Sequence, residues 1–329
     1  MKLGILGTGK IVHDFLMIAH ELPDLTMSVL GTEATREETE ALAAEHHFER
    51  TFYDYEEMLA SDVDTIYVAL PNVLHYAFTK RALLAGKDVI LEKPAVTRAS
   101  EMRELAALAK ERKQILIEAV TTHYLPAYQV LKEKIAEVGR VRIVSANYSQ
   151  YSSRYDRFKQ GIVLPAFDPQ KAGGALMDLN VYNINFVVGL FGKPQAVHYH
   201  ANIERDIDTS GILTLDYGDF KAVCIGAKDC GAPVMTVIEG DAGNFVVNRP
   251  VNQMNAFTIN GNDGSHAAFE GMQENAHRMK PEFLEFIRMI RERDYEKDEA
   301  MLAISVTVAE ILEEARHQAG LVFPGDEER

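Results

Sequence analysis

Cysteine is nearly absent from this 329-residue chain, which has only Cys224 and Cys230. Two thiols cannot staple a chain of this size, so buried thiols in a reducing compartment are expected. Basic charge is also in deficit: 34 Lys and Arg stand against 49 Asp and Glu, a net charge of −15. Nucleic acid and anionic membranes both demand a basic face, and neither is expected as a partner. No apolar run approaches the roughly 18 residues that would cross a bilayer. Lys2-Leu3-Gly4-Ile5-Leu6-Gly7 begins a strand at once and leaves no room for a signal peptide, so a cytoplasmic location is expected. Metal-ligand spacing of His, Cys and Asp, a nucleophile elbow, a P-loop, internal repeats and low-complexity tracts are missing too, and no metal is expected.

What is present is a globular composition, 47% apolar and 25% charged, over a length that suggests two domains. Strands over 2–6, 26–30, 65–70, 88–91 and 115–118 alternate with helical spacing, as in Ile11, Phe15, Ile18, Ala19 and Leu22. Further helices are predicted over 36–46, 73–85 and 98–112, and Asp54 and Glu57 have the capping-box spacing that opens a short one. Such alternation predicts a parallel sheet with helices on both faces. After residue 120 the texture changes. A helix at 124–137, a strand at 141–151, an irregular Tyr-, Arg- and Phe-rich stretch to 172 and a helix at 175–190 precede β-type runs. Strands at 212–217 and 220–225 are separated only by Gly218-Asp219, a hairpin signal, and 234–239 and 244–247 flank a second turn. Two helices close the chain; Phe283, Phe286, Ile287 and Ile290 share one face of the first. The fold expected is a doubly wound α/β domain over 1–120 followed by an α+β domain with a largely antiparallel open sheet over 121–329.

Gly7-Thr8-Gly9-Lys10-Ile11-Val12 lies where the first strand meets the first helix. A dinucleotide needs glycine there for the tight turn and for backbone approach to the pyrophosphate, with the helix N-terminus facing the phosphates. Gly7, Thr8, Gly9, Lys10 and Ile11 are therefore candidate cofactor residues. Val12 occupies a place usually held by Gly or Ala and would hold helix and strand slightly apart. At the end of the second strand, Glu33 offers a carboxylate to the ribose of NAD, whereas Thr32 and Arg36 offer a seat for the 2′-phosphate of NADP. Both cofactors remain open at this point.

Two further segments, Leu70-Pro71-Asn72-Val73-Leu74-His75 and Glu92-Lys93-Pro94, follow successive parallel strands. With the glycine turn and Gly173-Gly174-Ala175-Leu176-Met177-Asp178-Leu179-Asn180-Val181-Tyr182, they resemble the glucose–fructose oxidoreductase / inositol dehydrogenase (Gfo/Idh/MocA) family over nearly the whole chain. The physics of the residues runs the same way. Ligands of parallel sheets bind beyond the carboxyl ends of the strands, where Leu70, Asn72, His75, Glu92 and Lys93 stand. A lysine beside a hydroxyl can orient it and stabilise developing alkoxide charge, and a phenol can relay its proton.

The resemblance implies Lys93 at the reacting oxygen, Tyr182 as proton relay and Asp178 as a substrate ligand on the same helix face. It implies Leu70, Asn72, His75, Glu92 and Lys93 around the cofactor. Asn180 and Asn183 stand where the family usually has glycine and proline, and are expected to reshape the pocket wall. His123 replaces an arginine usual in dihydrodiol-dehydrogenase-like members and is a further candidate for substrate contact. The implied activity is NAD- or NADP-dependent hydride transfer at a hydroxyl or carbonyl carbon of a sugar, cyclitol or diol. The implied assembly is a homodimer or larger homo-oligomer. The alternatives are a nucleotide-binding sensor that has lost catalysis and an NAD-dependent glycosidase.

Overall fold

The computed structural model describes residues 1–272 and 276–326. They form two compact units, one of Met1–Val96, Ser100–Ala119 and Met279–Val306, the other of Thr97–Ala99, Val120–Arg278 and the chain from Thr307 onward.

The first unit carries β1 (Lys2–Leu6), α1 (Lys10–Ala19), β2 (Thr26–Leu30), α2 (Arg36–Glu45), β3 (Arg50–Phe52), α3 (Tyr55–Leu59), β4 (Thr65–Val68), α4 (His75–Leu84), β5 (Asp88–Glu92), most of α5 (Ala99–Arg112) and β6 (Leu116–Ala119). All six strands are parallel, in the order β3-β2-β1-β4-β5-β6. Strand order reverses between β1 and β4, and in such sheets the crevice beyond that reversal is where ligands bind. Asp54 caps α3 by accepting from the N–H groups of Glu56 and Glu57. The three-residue β3 is too short to show a period in the sequence and was not anticipated.

The chain later returns to this unit. α9 (Met279–Glu292) buries Phe283, Phe286 and Ile287, and the Phe283 ring lies 4.5 Å from Phe15 and 5.4 Å from Tyr67. α9 thus packs with the first unit although it follows residue 120 in the chain. The apolar stripe on α9 is legible in the sequence, but a stripe does not say which sheet it covers.

The second unit is built on eight strands: β7 (Val141–Ser149), β8 (Ala196–Glu204), β9 (Ile207–Asp216), β10 (Lys221–Ala227), β11 (Met235–Gly240), β12 (Gly243–Val247), β13 (Phe257–Gly261) and β14 (His266–Phe269). Their order is β14-β13-β12-β11-β7-β10-β9-β8, antiparallel except between β7 and β10. Side chains alternate across it. Val144, Ala146, Leu213, Leu215, Ala222, Cys224, Ile238 and Phe245 are buried, while Ile143, Ile212 and Met235 are exposed on the opposite face. α6 (Pro126–Lys134), α7 (Tyr155–Lys159), α8 (Val181–Phe191) and the end of α10 (Tyr295–Gln318) complete the unit. The stretch predicted irregular to 172 thus contains α7 and two 3₁₀ turns, Pro165–Phe167 and Pro169–Lys171.

Pro169–Phe191 proves long and apolar enough to cross a membrane by length and composition, contrary to the sequence reading, and most of it is buried inside the protein. At the outer strand, Gln318 on α10 accepts from the Tyr199 N–H at 3.0 Å and donates to the Val197 carbonyl at 2.9 Å.

Candidate active site

The nucleotide side of the first unit lies at the carboxyl ends of β1, β2, β4 and β5. Gly7 has φ +100°, and a Cβ there would stand 2.9 Å from the Ala69 carbonyl oxygen, so both backbone and space demand glycine. Gly9 is different. Its φ of −73° suits any residue, and nothing lies within 4 Å of where a Cβ would be. The fold does not require glycine at this position. α1 starts at Gly9 without a side-chain cap, which leaves its first amides available to an anion. Thr8 and Ile11 are half-buried, Gly9 and Lys10 exposed, and Val12 sits fully buried in the core. An open cradle at an uncapped helix start fits a pyrophosphate. Gly9→Val should therefore abolish dinucleotide binding while leaving the thermal unfolding transition in place; unchanged nucleotide affinity would remove this assignment.

Beyond β2, Thr32 and Thr35 share a hydroxyl–hydroxyl hydrogen bond at 3.1 Å. Arg36 makes two bonds to Glu33, at 3.0 and 2.6 Å, and its guanidinium lies 3.7 Å above the centre of the Tyr53 ring. Glu33 and Arg36, two alternatives in the sequence, are here each other's partner. Pairing with Glu33 raises the Arg36 pKa and lowers that of Glu33.

The turn after β4 begins with half-buried Leu70 and Asn72 and continues into α4 at His75. His75 is fully buried. Its ring nitrogens lie 2.8 Å from the Leu70 carbonyl and 3.0 Å from that of Pro94, bracketing the two loops. Burial pushes its pKa below the ordinary value, and a neutral imidazole donates to only one of these carbonyls at a time. Glu92 is also buried and accepts from the Tyr67 hydroxyl at 2.6 Å. His75 ties the loop after β4 to the loop after β5, and Glu92 is anchored to β4.

Between those supports Lys93 is half-buried, at the end of β5, and the Lys93–Pro94 peptide is cis. Glu118, which the sequence reading passed over, accepts from the Ala95 N–H at 2.9 Å. Burial pushes its carboxyl up to about 7, with Glu92 adding to the shift and Lys93 opposing it. A carboxylate inside a four-residue apolar strand was the signal.

In the second unit, the helix predicted over 175–190 opens with a π turn, Leu176–Asn180, before α8. Asp208 caps its start, accepting from the Leu176 N–H at 2.6 Å and the Tyr199 hydroxyl at 2.8 Å. Four residues lie between the 3.6 of an α turn and the wider π turn, so Asp178 and Tyr182 still project to one side. Tyr182 is buried, its ring centre 6.2 Å from that of Tyr148. Asp178 is 38% exposed and pairs with Lys228 at 2.8 Å.

Asn180 and Asn183 were expected to shape a pocket wall. Both are buried, and their amides donate to the Cys224 and Ile225 carbonyls of β10 at 3.1 and 3.0 Å. They fasten the helix to the sheet. His123 is 5% exposed, its Nε2 3.0 Å from Asn185 Oδ1 and its ring edge-on to Tyr128. Burial pushes its pKa down to about 4. In the structure His123 packs in the core as a neutral imidazole.

Residues 1–120 match the family model described as an oxidoreductase family with an NAD-binding Rossmann fold, and residues 128–266 match the GFO/IDH/MocA C-terminal domain. The chain belongs to the Gfo/Idh/MocA oxidoreductase family. As a member it is an NAD(P)-dependent oxidoreductase acting on CH–OH. The scyllo-inositol 2-dehydrogenase (NADP(+)) IolU of Bacillus subtilis is 34% identical to this Gfo/Idh/MocA protein, over 99% of both chains. A trans-1,2-dihydrobenzene-1,2-diol dehydrogenase of Xenopus laevis is 26% identical, over 98% of this chain and 99% of its own. The fold is shared with KijD10, a 3-ketoreductase from Actinomadura kijaniata solved with NADP and TDP-benzene, at a TM-score of 0.82, 20% identity and 97% of both chains.

Proposed function

We propose that this enzyme oxidises a secondary hydroxyl of a cyclitol, sugar or related diol, or reduces the matching carbonyl, with NADP(H) preferred over NAD(H). The observation that carries the reading is Lys93, held at the end of β5 by loops that His75 and Glu118 brace from behind. The bound nicotinamide supplies or accepts the hydride. Lys93 orients the substrate oxygen and stabilises its developing charge, Tyr182 relays the hydroxyl proton, and Asp178 accepts from a neighbouring hydroxyl. The printed activities of the Bacillus and Xenopus relatives support a cyclitol or diol. Turnover on a panel headed by scyllo-inositol, with NADP+ and NAD+ side by side, tests it; no turnover with either cofactor overturns it.

Arg36 supports the NADP preference. It is stacked on Tyr53 beside two threonine hydroxyls, and its exposed pair with Glu33 is weakened by solvent screening. A 2′-phosphate, with twofold charge and matching geometry, displaces such a partner readily. Arg36→Ala should weaken NADPH binding by roughly 10- to 100-fold and NADH binding by no more than about threefold in a fluorescence titration. Equal losses would refute the preference.

The proposal extends to a cytoplasmic homo-oligomer joined through the open face of the eight-stranded sheet. Register lines up Val246, Val237, Ser145, Val223, Thr214 and His198 across six strands of that face, next to exposed Ile143, Ile212 and Met235. Such a patch favours self-association. Sedimentation at micromolar protein should show a dimer or larger species; a sole 36.8 kDa species contradicts it.

A further inference from the structure

Lys228, just beyond β10, has only 2% of its side chain exposed. Its ammonium donates to Asp178 Oδ2 at 2.8 Å and to the Ala166 carbonyl at 2.7 Å, and lies 4.7 Å from the centre of the Phe167 ring. An ammonium has three donors. Two are committed to oxygen and the third side faces an aromatic ring, so none is offered to a substrate.

Asp208, a buried carboxyl that also feels this charge, is bonded through Oδ2 to the Leu176 N–H and the Tyr199 hydroxyl and makes no ion pair with Lys228. The ion pair at 2.8 Å makes Asp178 the carboxylate that Lys228 holds. Asp178 stays 38% exposed, held from behind and presented from the front. The same clamp ties down the 165–167 turn, because the Ala166 carbonyl also accepts from the Gly174 N–H at 3.1 Å, at the entrance to the substrate helix. Burying an ammonium in this way adds little to stability compared with an apolar side chain of the same length. Positioning accounts for it better.

We propose that Lys228 is a positioning residue for substrate recognition, fixing the carboxylate of Asp178 and the 165–167 turn in the arrangement that receives a hydroxyl next to the reacting carbon. The inference rests on the functional reading above, in which Asp178 binds substrate. Lys228→Met keeps the stem and removes the charge. With the polyol of the panel that the wild type turns over, KM should rise roughly 10- to 100-fold while kcat changes by no more than about threefold. NADPH affinity should be unchanged.

Asp178→Asn should give a similar KM, and the double variant Asp178→Asn with Lys228→Met should be no worse than the weaker single variant, because the two groups act as one. The double variant leaves no buried charge unpaired, so it keeps the test alive if Lys228→Met fails to unfold cooperatively. A wild-type KM in Lys228→Met, or a double variant whose KM is the product of the single effects or far exceeds that of Asp178→Asn, overturns the proposal. A wild type that turns over no polyol overturns the functional reading instead, before any variant is compared.

Discussion

Replacing Lys93 by methionine should lower kcat by about 10²–10³ while leaving nucleotide affinity intact. The substitution keeps the length and apolar stem and removes only the charge and its donors. If Lys93 meets charge that develops at the substrate oxygen, the loss belongs to the transition state and appears in turnover more than in binding. The surrounding structure sharpens the expectation. His75 ties the Leu70 and Pro94 carbonyls, Tyr67 holds Glu92, and Glu118 holds the Ala95 amide, so the backbone around residue 93 has supports besides the lysine. Steady-state kinetics beside a nucleotide titration measures both quantities. Near wild-type turnover in Lys93→Met would move the active site elsewhere.

Tyr182→Phe, which removes a single hydroxyl, should slow turnover by roughly 10²–10⁴ if that hydroxyl relays the proton directly. The ring itself is buried beside Tyr148, and phenylalanine fills the same space, so folding should be preserved. The diagnostic contrast is with Asp178→Asn, whose effect should fall on KM. A Tyr182→Phe enzyme with unaltered kcat and raised KM would make the tyrosine a wall residue and leave the proton to another group.

The parallel sheet was readable in the sequence because each of its longer strands is an apolar run followed by helical spacing, and because a glycine turn marks where the first strand ends. Hairpins at Gly218-Asp219 and at 240–243 were readable from turn chemistry. What escaped has physical causes in common. The π turn at Leu176–Asn180 is a change in hydrogen-bond register, which leaves no trace in residue periodicity. The amides of Asn180 and Asn183 look like pocket polarity until the β10 carbonyls that bind them are in place. Lys228 follows a strand as many solvated lysines do, and only the packing of Phe167 and Asp178 about it makes it a buried ion. His75 and Glu92 were found by motif; the His75 ring turns to the Leu70 and Pro94 carbonyls, and the Glu92 carboxyl to Tyr67 on β4. A motif marks which residues matter near a site without saying which way they face.

The carboxamide of Gln318 has one more consequence. It offers the Tyr199 N–H an acceptor and the Val197 carbonyl a donor, the pair of bonds that a residue of an incoming strand would make. Unpaired outer strands are templates for runaway strand addition, and β8, at nine residues, is long enough to serve as one. α10 closes that template near its start with a side chain that imitates backbone. The strand at the opposite border, β14, has only four residues. Extension of the sheet into a fibre is thereby disfavoured at both borders.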